Sequence, residues 1–240
     1  MFFINDLENQ KFKIGMVCID IFSKFAAVVP LMSEDTGDVA AGILECVQKM
    51  SRKPKMIYTD DEAALSSFPL RDFFVEQKIK HYITRKHAAF AERMIRTFKG
   101  MLYKRIDDKG NPDTKKKKPP ENGAEPQWHD YIYQVMLTYN NKLVHSSTKK
   151  TPEEAKQGNH QMDVKANLEI RAMKNRKYPP LNVGDEVKIM RKKKVGEKER
   201  TSQWSIEVFK VTEINEELGQ NYYKVEGIDR DYTRAEVLKV

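Results

Sequence analysis

The chain has little of what extracellular scaffolds and membrane proteins are built from. Two cysteines, Cys18 and Cys46, in 240 residues exclude a disulfide framework; both stand in apolar-rich segments, no CxxC pair exists, and neither reads as a metal ligand. No apolar run approaches the roughly 20 residues that span a bilayer. The start Met1-Phe2-Phe3-Ile4-Asn5-Asp6 lacks the basic segment and continuous apolar stretch of a secretory signal. These absences point to a soluble protein of a reducing, intracellular compartment with no membrane partner. No internal repeat is evident. What is abundant is charge, at 32% of residues against a usual share of roughly 25%. Forty-three Lys plus Arg against 35 Asp plus Glu leave +8, a balance that favours polyanions such as nucleic acid. The length allows a large core and a small appendage.

Hydrophobic patterning divides the chain. IGMVCIDIFSKFAAVVPL, Ile14 to Leu31, gives two β-rich runs hinged at Ser23-Lys24, the first apolar on both faces as a strand covered from both sides would be. Val39, Ile43, Val47 and Met50 recur at helical spacing behind a Ser33/Asp35/Thr36 cap region, and Pro54 stops that helix before the strand Met56 to Thr59. Leu70 to Lys78 reads as a helix, Lys80 to Thr84 as a strand and Ala88 to Ile106 as a long helix. This alternation predicts an α/β fold with helices covering a mixed sheet. Residues 107–127, with Gly110, Pro112, Lys115 to Lys118, Pro119 and Pro120, read as a basic flexible insertion. Trp128 to Leu143 resumes a helix, and Thr151-Pro152-Glu153-Glu154-Ala155 opens a short one with Thr as cap and Pro at its first position. The predicted organisation is a core at 1–157, a linker at 158–180 closing on Pro179-Pro180, and a C-terminal domain at 181–240. In that last domain, VKIM, IEVFKVTEI, YYKVEGI and EVLKV are short β-rich runs, which predict a small all-β barrel. Trp204, Phe209 and Val211 are expected to pack it.

Three acids carry the chemical possibilities. Asp20 is flanked by Val17, Cys18, Ile19, Ile21 and Phe22, where an ionised carboxylate is costly without a cation or partner. It is either a metal ligand or a strand-end acid capping the Ser23-Lys24 turn. Asp60 follows the strand MIYT, at the edge where open α/β sheets place ligands; Asp60, Asp61 and Glu62 could equally cap the next helix. Glu92 shares a polar, mostly basic stripe with Arg96, Lys99 and Tyr103, opposite Phe90, Met94, Phe98 and Met101. A solvated face with a Glu92–Arg96 pair explains that stripe as well as a site does.

Taken together, a strand Asp, a strand-end Asp and a helix Glu in this order, in IDIFSKFAAVVPL, IYTDDE and HAAFAERMIRTFKGML, followed by YNNKLVHSSTKKTPEEA, resemble the DDE integrase core of ribonuclease-H-like fold. The C-terminal LNVGDEVKIMRKKKVGEKERTSQWSIEVFKV and YTRAEVLKV resemble the SH3-like or chromo-like end of integrases, and the combination is similar to integrases of Maverick/Polinton-type transposons and related viruses. The resemblance implies that Asp20, Asp60 and Glu92 are catalytic and hold two divalent cations, Mg²⁺ or Mn²⁺. It further implies 3′-end processing and strand transfer of element DNA, double-stranded DNA and further copies of the chain as partners, no small-molecule substrate, and the nucleus of a eukaryotic host. Three departures stand out: the 31 residues Asp61 to Ala91 between the second and third acids are slightly fewer than in retroviral integrases, Asp61-Glu62-Ala63-Ala64-Leu65 replaces the usual glycine and Glu-Phe after the second acid, and the zinc-binding His-His-Cys-Cys pattern is absent.

DNA contacts are expected from Lys86, Arg93, Arg96 and Lys99 and from the run Arg191, Lys192, Lys193, Lys194. Lys115 to Lys118 read either as a solvated loop or as a nuclear-targeting or DNA-touching segment. Two other functions fit the same residues: a domesticated, non-catalytic DNA- or chromatin-binding protein, and a ribonuclease-H-like nuclease that only hydrolyses.

Overall fold

The computed structural model describes residues 1–5, 7, 10–83, 88–110, 127–174, 178–191, 202–217 and 220–240. The chain forms two compact units, Met1–Met173 and Lys174–Val240.

In the first unit the order is β1 (Phe2–Phe3), β2 (Ile14–Ile19), β3 (Ala26–Leu31), α1 (Thr36–Met50), β4 (Met56–Thr59), α2 (Ala63–Ser66), α3 (Phe68–Glu76), β5 (Lys80–Ile83), α4 (Ala89–Gly110), α5 (Ile132–Lys142), α6 (Pro152–Lys156) and α7 (Gln161–Met173). Strands β1, β2 and β3 form an antiparallel sheet in that spatial order, and β4 pairs with β5 in parallel. Alternation along β3 explains the layers. Ala26 and Val28 join Phe2, Ile4, Met94, Phe98, Leu102, Trp128, Val135 and Tyr139 on one face. Ala27, Val29 and Leu31 join Val39, Ile43, Cys46, Leu70 and Phe74 on the other. Thus β2 and β3 lie between α1–α3 and α4–α5. Helix α1 can sit close because Gly42 faces the sheet: a Cβ there would meet Leu31 Cδ2 at 2.6 Å.

The expected strands and helices between Ile14 and Ile83 form with ends shifted by a residue or two. Helix α4 continues past Ile106 to Gly110, the first breaker in that stretch, so the expected insertion starts later; its residues 111–126 lie outside the described residues. Within 158–180, expected as linker, the chain folds into α7, whose Val164 is fully buried and whose Asn167 side chain donates to the Thr148 carbonyl at 3.1 Å. With the Arg171 guanidinium donating to Ser146 Oγ at 3.3 Å, one buried apolar anchor and two polar ties dock a helix that is otherwise polar. Cys18 and Cys46 are free thiols. No helix among the described residues is long and apolar enough to cross a membrane.

The second unit contains β6 (Glu186–Ile189), β7 (Phe209–Glu217), β8 (Gln220–Val225), β9 (Ile228–Thr233) and β10 (Val237–Lys239). They form one sheet of order β10-β6-β7-β8-β9, whose edge strands β10 and β9 do not pair. The expected closed barrel is therefore corrected to an open sheet. Its core is Leu181, Val187, Val211, Tyr223, Val225, Tyr232 and Val237, with Phe209 packed against it. Trp204 is not in that core: it is half-buried and makes an isolated bridge to Met190.

Candidate functional site

Asp20 ends β2 and enters a tight turn. Its carboxylate accepts the Ser23 N–H at 2.9 Å, the Phe22 N–H at 3.4 Å and the Ser23 hydroxyl. Lys24 takes a left-handed φ of 66°, and its N–H returns to the Asp20 carbonyl at 2.8 Å. The Lys24 side chain is buried in the same knot: its ammonium donates to the Ile21 carbonyl at 2.5 Å and lies 4.1 Å from the Phe90 ring centroid. Burial pushes the Lys24 pKa down, and the Asp20 charge opposes that shift. The Tyr139 hydroxyl donates to the Lys24 carbonyl at 3.2 Å, and burial raises the Tyr139 pKa to about 12. Asp20 thus does the work of a turn cap, one of its two sequence readings, while its charge favours the ammonium form of the buried Lys24.

Asp60 is half-buried and directly follows β4. The chain beyond it is tied to the N-terminus and to the start of α1. The Met1 ammonium lies 3.4 Å from the Glu62 carboxylate, and Thr36 Oγ1 lies 3.3 Å from Ser67 Oγ. On the inner side of β4, Thr59 Oγ1 meets His81 Nε2 at 2.9 Å. Burial, with Arg71 as a smaller cause, lowers the His81 pKa.

Glu92 is exposed in the first turn of α4. The apolar face of this helix docks through Met94, Phe98 and Leu102 as the stripe predicts, whereas Phe90 is exposed and serves the Lys24 turn instead. At the other end of this segment Lys99 reaches β1, donating to the Phe3 carbonyl at 2.6 Å and lying 5.8 Å from the Phe2 ring. The structure thereby brings the Asp20 turn next to the start of α4 and joins the Asp60 segment to the N-terminal residue. Among the described residues no three of His, Cys, Asp and Glu stand together so as to hold a metal ion.

Of the expected DNA-contacting cations, Arg93 and Arg96 are exposed on α4. Arg191 donates to the Ser202 carbonyl at 3.1 Å in the second unit. Lys86 and Lys192 to Lys194 lie outside the described residues.

The segment YNNKLVHSSTKKTPEEA turns out to be scaffold. Asn140, buried at 6% exposure, accepts from the Ala26 N–H at 3.1 Å and donates to the Ala26 carbonyl at 2.9 Å, replacing a neighbouring strand along the free edge of β3. Thr151 and Glu154 close a reciprocal capping box on α6, with Pro152 in the first turn. Sequence reasoning missed Lys24, Tyr139 and Asn140 as positioning residues. The signal available was a lysine in an apolar turn and an asparagine interrupting an apolar helix face.

No family model matches the chain. Among curated proteins it is similar to the retrovirus-related Pol polyprotein from transposon 297 of Drosophila melanogaster, 24% identical over 152 residues, covering 62% of this chain and 13% of the polyprotein. It is also similar to a putative uncharacterized transposon-derived protein of Caenorhabditis elegans, 24% identical over 204 residues, covering 84% of this chain and 63% of that protein. The chain thus spans less than two thirds of either relative. Among solved structures it resembles the HTLV-2 integrase catalytic core domain in complex with magnesium in its trimeric form. That match has a TM-score of 0.50 at 21% identity and covers 63% of this chain and 88% of that one. It also resembles a chain of the simian T-cell lymphotropic virus intasome in complex with PP2A regulatory subunit B56 gamma, with a TM-score of 0.62 at 16% identity over 97% of this chain and 74% of that one. In fold, the chain is like these integrase structures.

Proposed function

We propose that this chain is a DNA integrase, a polynucleotidyl transferase that trims the 3′ ends of a mobile element's DNA and joins them to target DNA. The observation that carries the reading is the match of integrase architecture along nearly the whole chain, and both curated relatives are transposon-derived proteins. The reading includes dependence on Mg²⁺ or Mn²⁺, supported by the magnesium of the HTLV-2 core. It includes self-association, double-stranded DNA as partner and action in the nucleus, and it places the source element in the Maverick/Polinton type. Domain roles follow the sequence boundaries: a catalytic core at 1–157, a connector at 158–180 and a DNA-binding part at 181–240.

The proposed carboxylates are Asp20, Asp60 and Glu92. Arg93, Arg96 and the basic residues of the second unit supply phosphate contacts in this reading.

A labelled duplex carrying the element's end, plain target duplex and Mg²⁺ test the proposal in one gel. Joined products support the integrase. Shortened strands without joining assign a hydrolytic nuclease, and shifted but uncut DNA assigns a non-catalytic binder; either of these outcomes overturns the reading.

A further inference from the structure

Strands β4 and β5 present an aromatic platform framed by cations that the joining chemistry does not use. Their parallel register sets Tyr58 opposite Tyr82 and Met56 opposite Lys80. The two rings stack at 5.4 Å between centroids, only 21° from parallel. Alternation sends Ile57, Thr59, His81 and Ile83 inward, where His81 packs on the Phe74 ring at 4.4 Å, and leaves Met56, Tyr58, Lys80 and Tyr82 on the outer face. Met56 is 47% and Tyr58 39% exposed. Tyr58 is exposed and Tyr82 half-buried, and neither ring takes part in the inner packing of the two strands.

The charge around this pair selects its occupant. Segments 51–58 and 77–82 contain Arg52, Lys53, Lys55, Lys78 and Lys80 and no acid, and all five cations are exposed. The two segments start side by side, since the Lys80 N–H donates to the Lys55 carbonyl at 3.0 Å and the Lys53 ammonium reaches Gln77 Oε1 at 3.4 Å. A second protein's apolar face would gain the rings but would leave these cations uncompensated. A polyanion that also carries flat apolar faces satisfies both.

We propose that the outer face of β4 and β5 binds single-stranded nucleic acid, with an unpaired base stacking on the Tyr58–Tyr82 pair and its flanking phosphates lying along Lys55, Lys80 and Lys53. Duplex DNA keeps its base faces buried in its own stack and can offer this platform only its phosphates. The platform therefore distinguishes an unpaired strand from a duplex without reading sequence. This goes beyond the joining reaction and needs none of the three acids, so it stands or falls on binding measurements alone.

The test is fluorescence anisotropy of the full chain with a labelled 16-nucleotide oligo-dT and with a labelled duplex of the same length. Tyr58→Ala or Tyr82→Ala weakens oligo-dT binding by on the order of tenfold, with duplex binding changed by less than about twofold because phosphate contacts remain. Tyr58→Phe and Tyr82→Phe, which keep the π face, stay within about twofold of the parent. Lys80→Gln lowers the slope of log affinity against log salt for oligo-dT by about 0.7. Should an alanine variant not fold, Tyr82→Leu keeps the bulk and removes the π face, and the same loss is expected. Parental oligo-dT affinity in Tyr82→Leu or in the alanine variants overturns the proposal, and so does an equal loss for oligo-dT and duplex in a variant with unchanged melting temperature.

Discussion

Replacing Asn140 with leucine removes one side chain and orphans two backbone groups. The amide satisfies both the N–H and the carbonyl of Ala26, and Ala26 itself is 1% exposed, so water cannot replace the lost partners. Each buried, unpaired backbone group costs about 1–3 kcal/mol. Leucine recovers about 1 kcal/mol or more by burying its own apolar surface. The net expectation is a loss of about 3 kcal/mol. With a urea slope of about 2 kcal/mol per M, the unfolding midpoint falls by roughly 1.5 M. The assay is urea unfolding followed by the fluorescence of Trp128, fully buried in the same cluster as Ala26, in a Trp204→Phe background that silences the other tryptophan. Asn140→Asp keeps an acceptor and loses the donor, so its midpoint falls as well. A midpoint for Asn140→Leu equal to that of the parent refutes the argument that this residue completes the edge of β3.

Three further expectations follow from the same unit. Gly15→Ala places a Cβ 2.2 Å from the Phe2 ring, which must swing away from Phe98 and Trp128; a loss of about 1–3 kcal/mol is expected in urea unfolding. Asp20→Asn removes the charge opposite the buried Lys24 ammonium and weakens the turn, so the melting temperature falls by several degrees whatever happens to DNA joining. His81 and His145 both have pKa values lowered chiefly by burial. The unfolded chain therefore binds more protons than the folded one below the ordinary histidine value of about 6.5. Stability should be intact at pH 7.5 and should fall as pH drops from about 6.5 through the lowered folded values. A melting temperature that is flat from pH 7.5 to 5 in the parent, or as steep in the His81→Gln/His145→Gln double variant, contradicts this.

Much of the scaffold was legible because its signals are local. The apolar run Ile14–Leu31 with its Ser-Lys hinge became the β2–β3 hairpin, and Thr151-Pro152-Glu153-Glu154 became a capped helix. β1 was not legible: two phenylalanines make no periodic pattern, and the strand exists because β2 offers it an edge and Gly15 offers its ring a seat. α7 was read as linker because one buried valine and two polar ties, from Asn167 and Arg171, leave no apolar stripe. Closure of the C-terminal strands was not legible either, since alternation within each strand says nothing about whether the two edges meet. For the acids, the sequence supplied residue types and order, but convergence is a long-range property. Asp20 shows the limit: a carboxylate between apolar residues needs a partner, and its own turn provides one.

The most direct measurement of the central claim is the joining reaction with Mg²⁺, donor end and target duplex, run on the parent chain and on Asp60→Asn, Glu92→Gln and Asp20→Asn at matched folded concentration. The account predicts that Asp60→Asn and Glu92→Gln abolish joining while melting with the parent and still binding the donor duplex. It also predicts that Asp20→Asn joins nothing at matched folded concentration, with its melting temperature lowered by the weakened turn. Full joining by Asp60→Asn or by Glu92→Gln contradicts it.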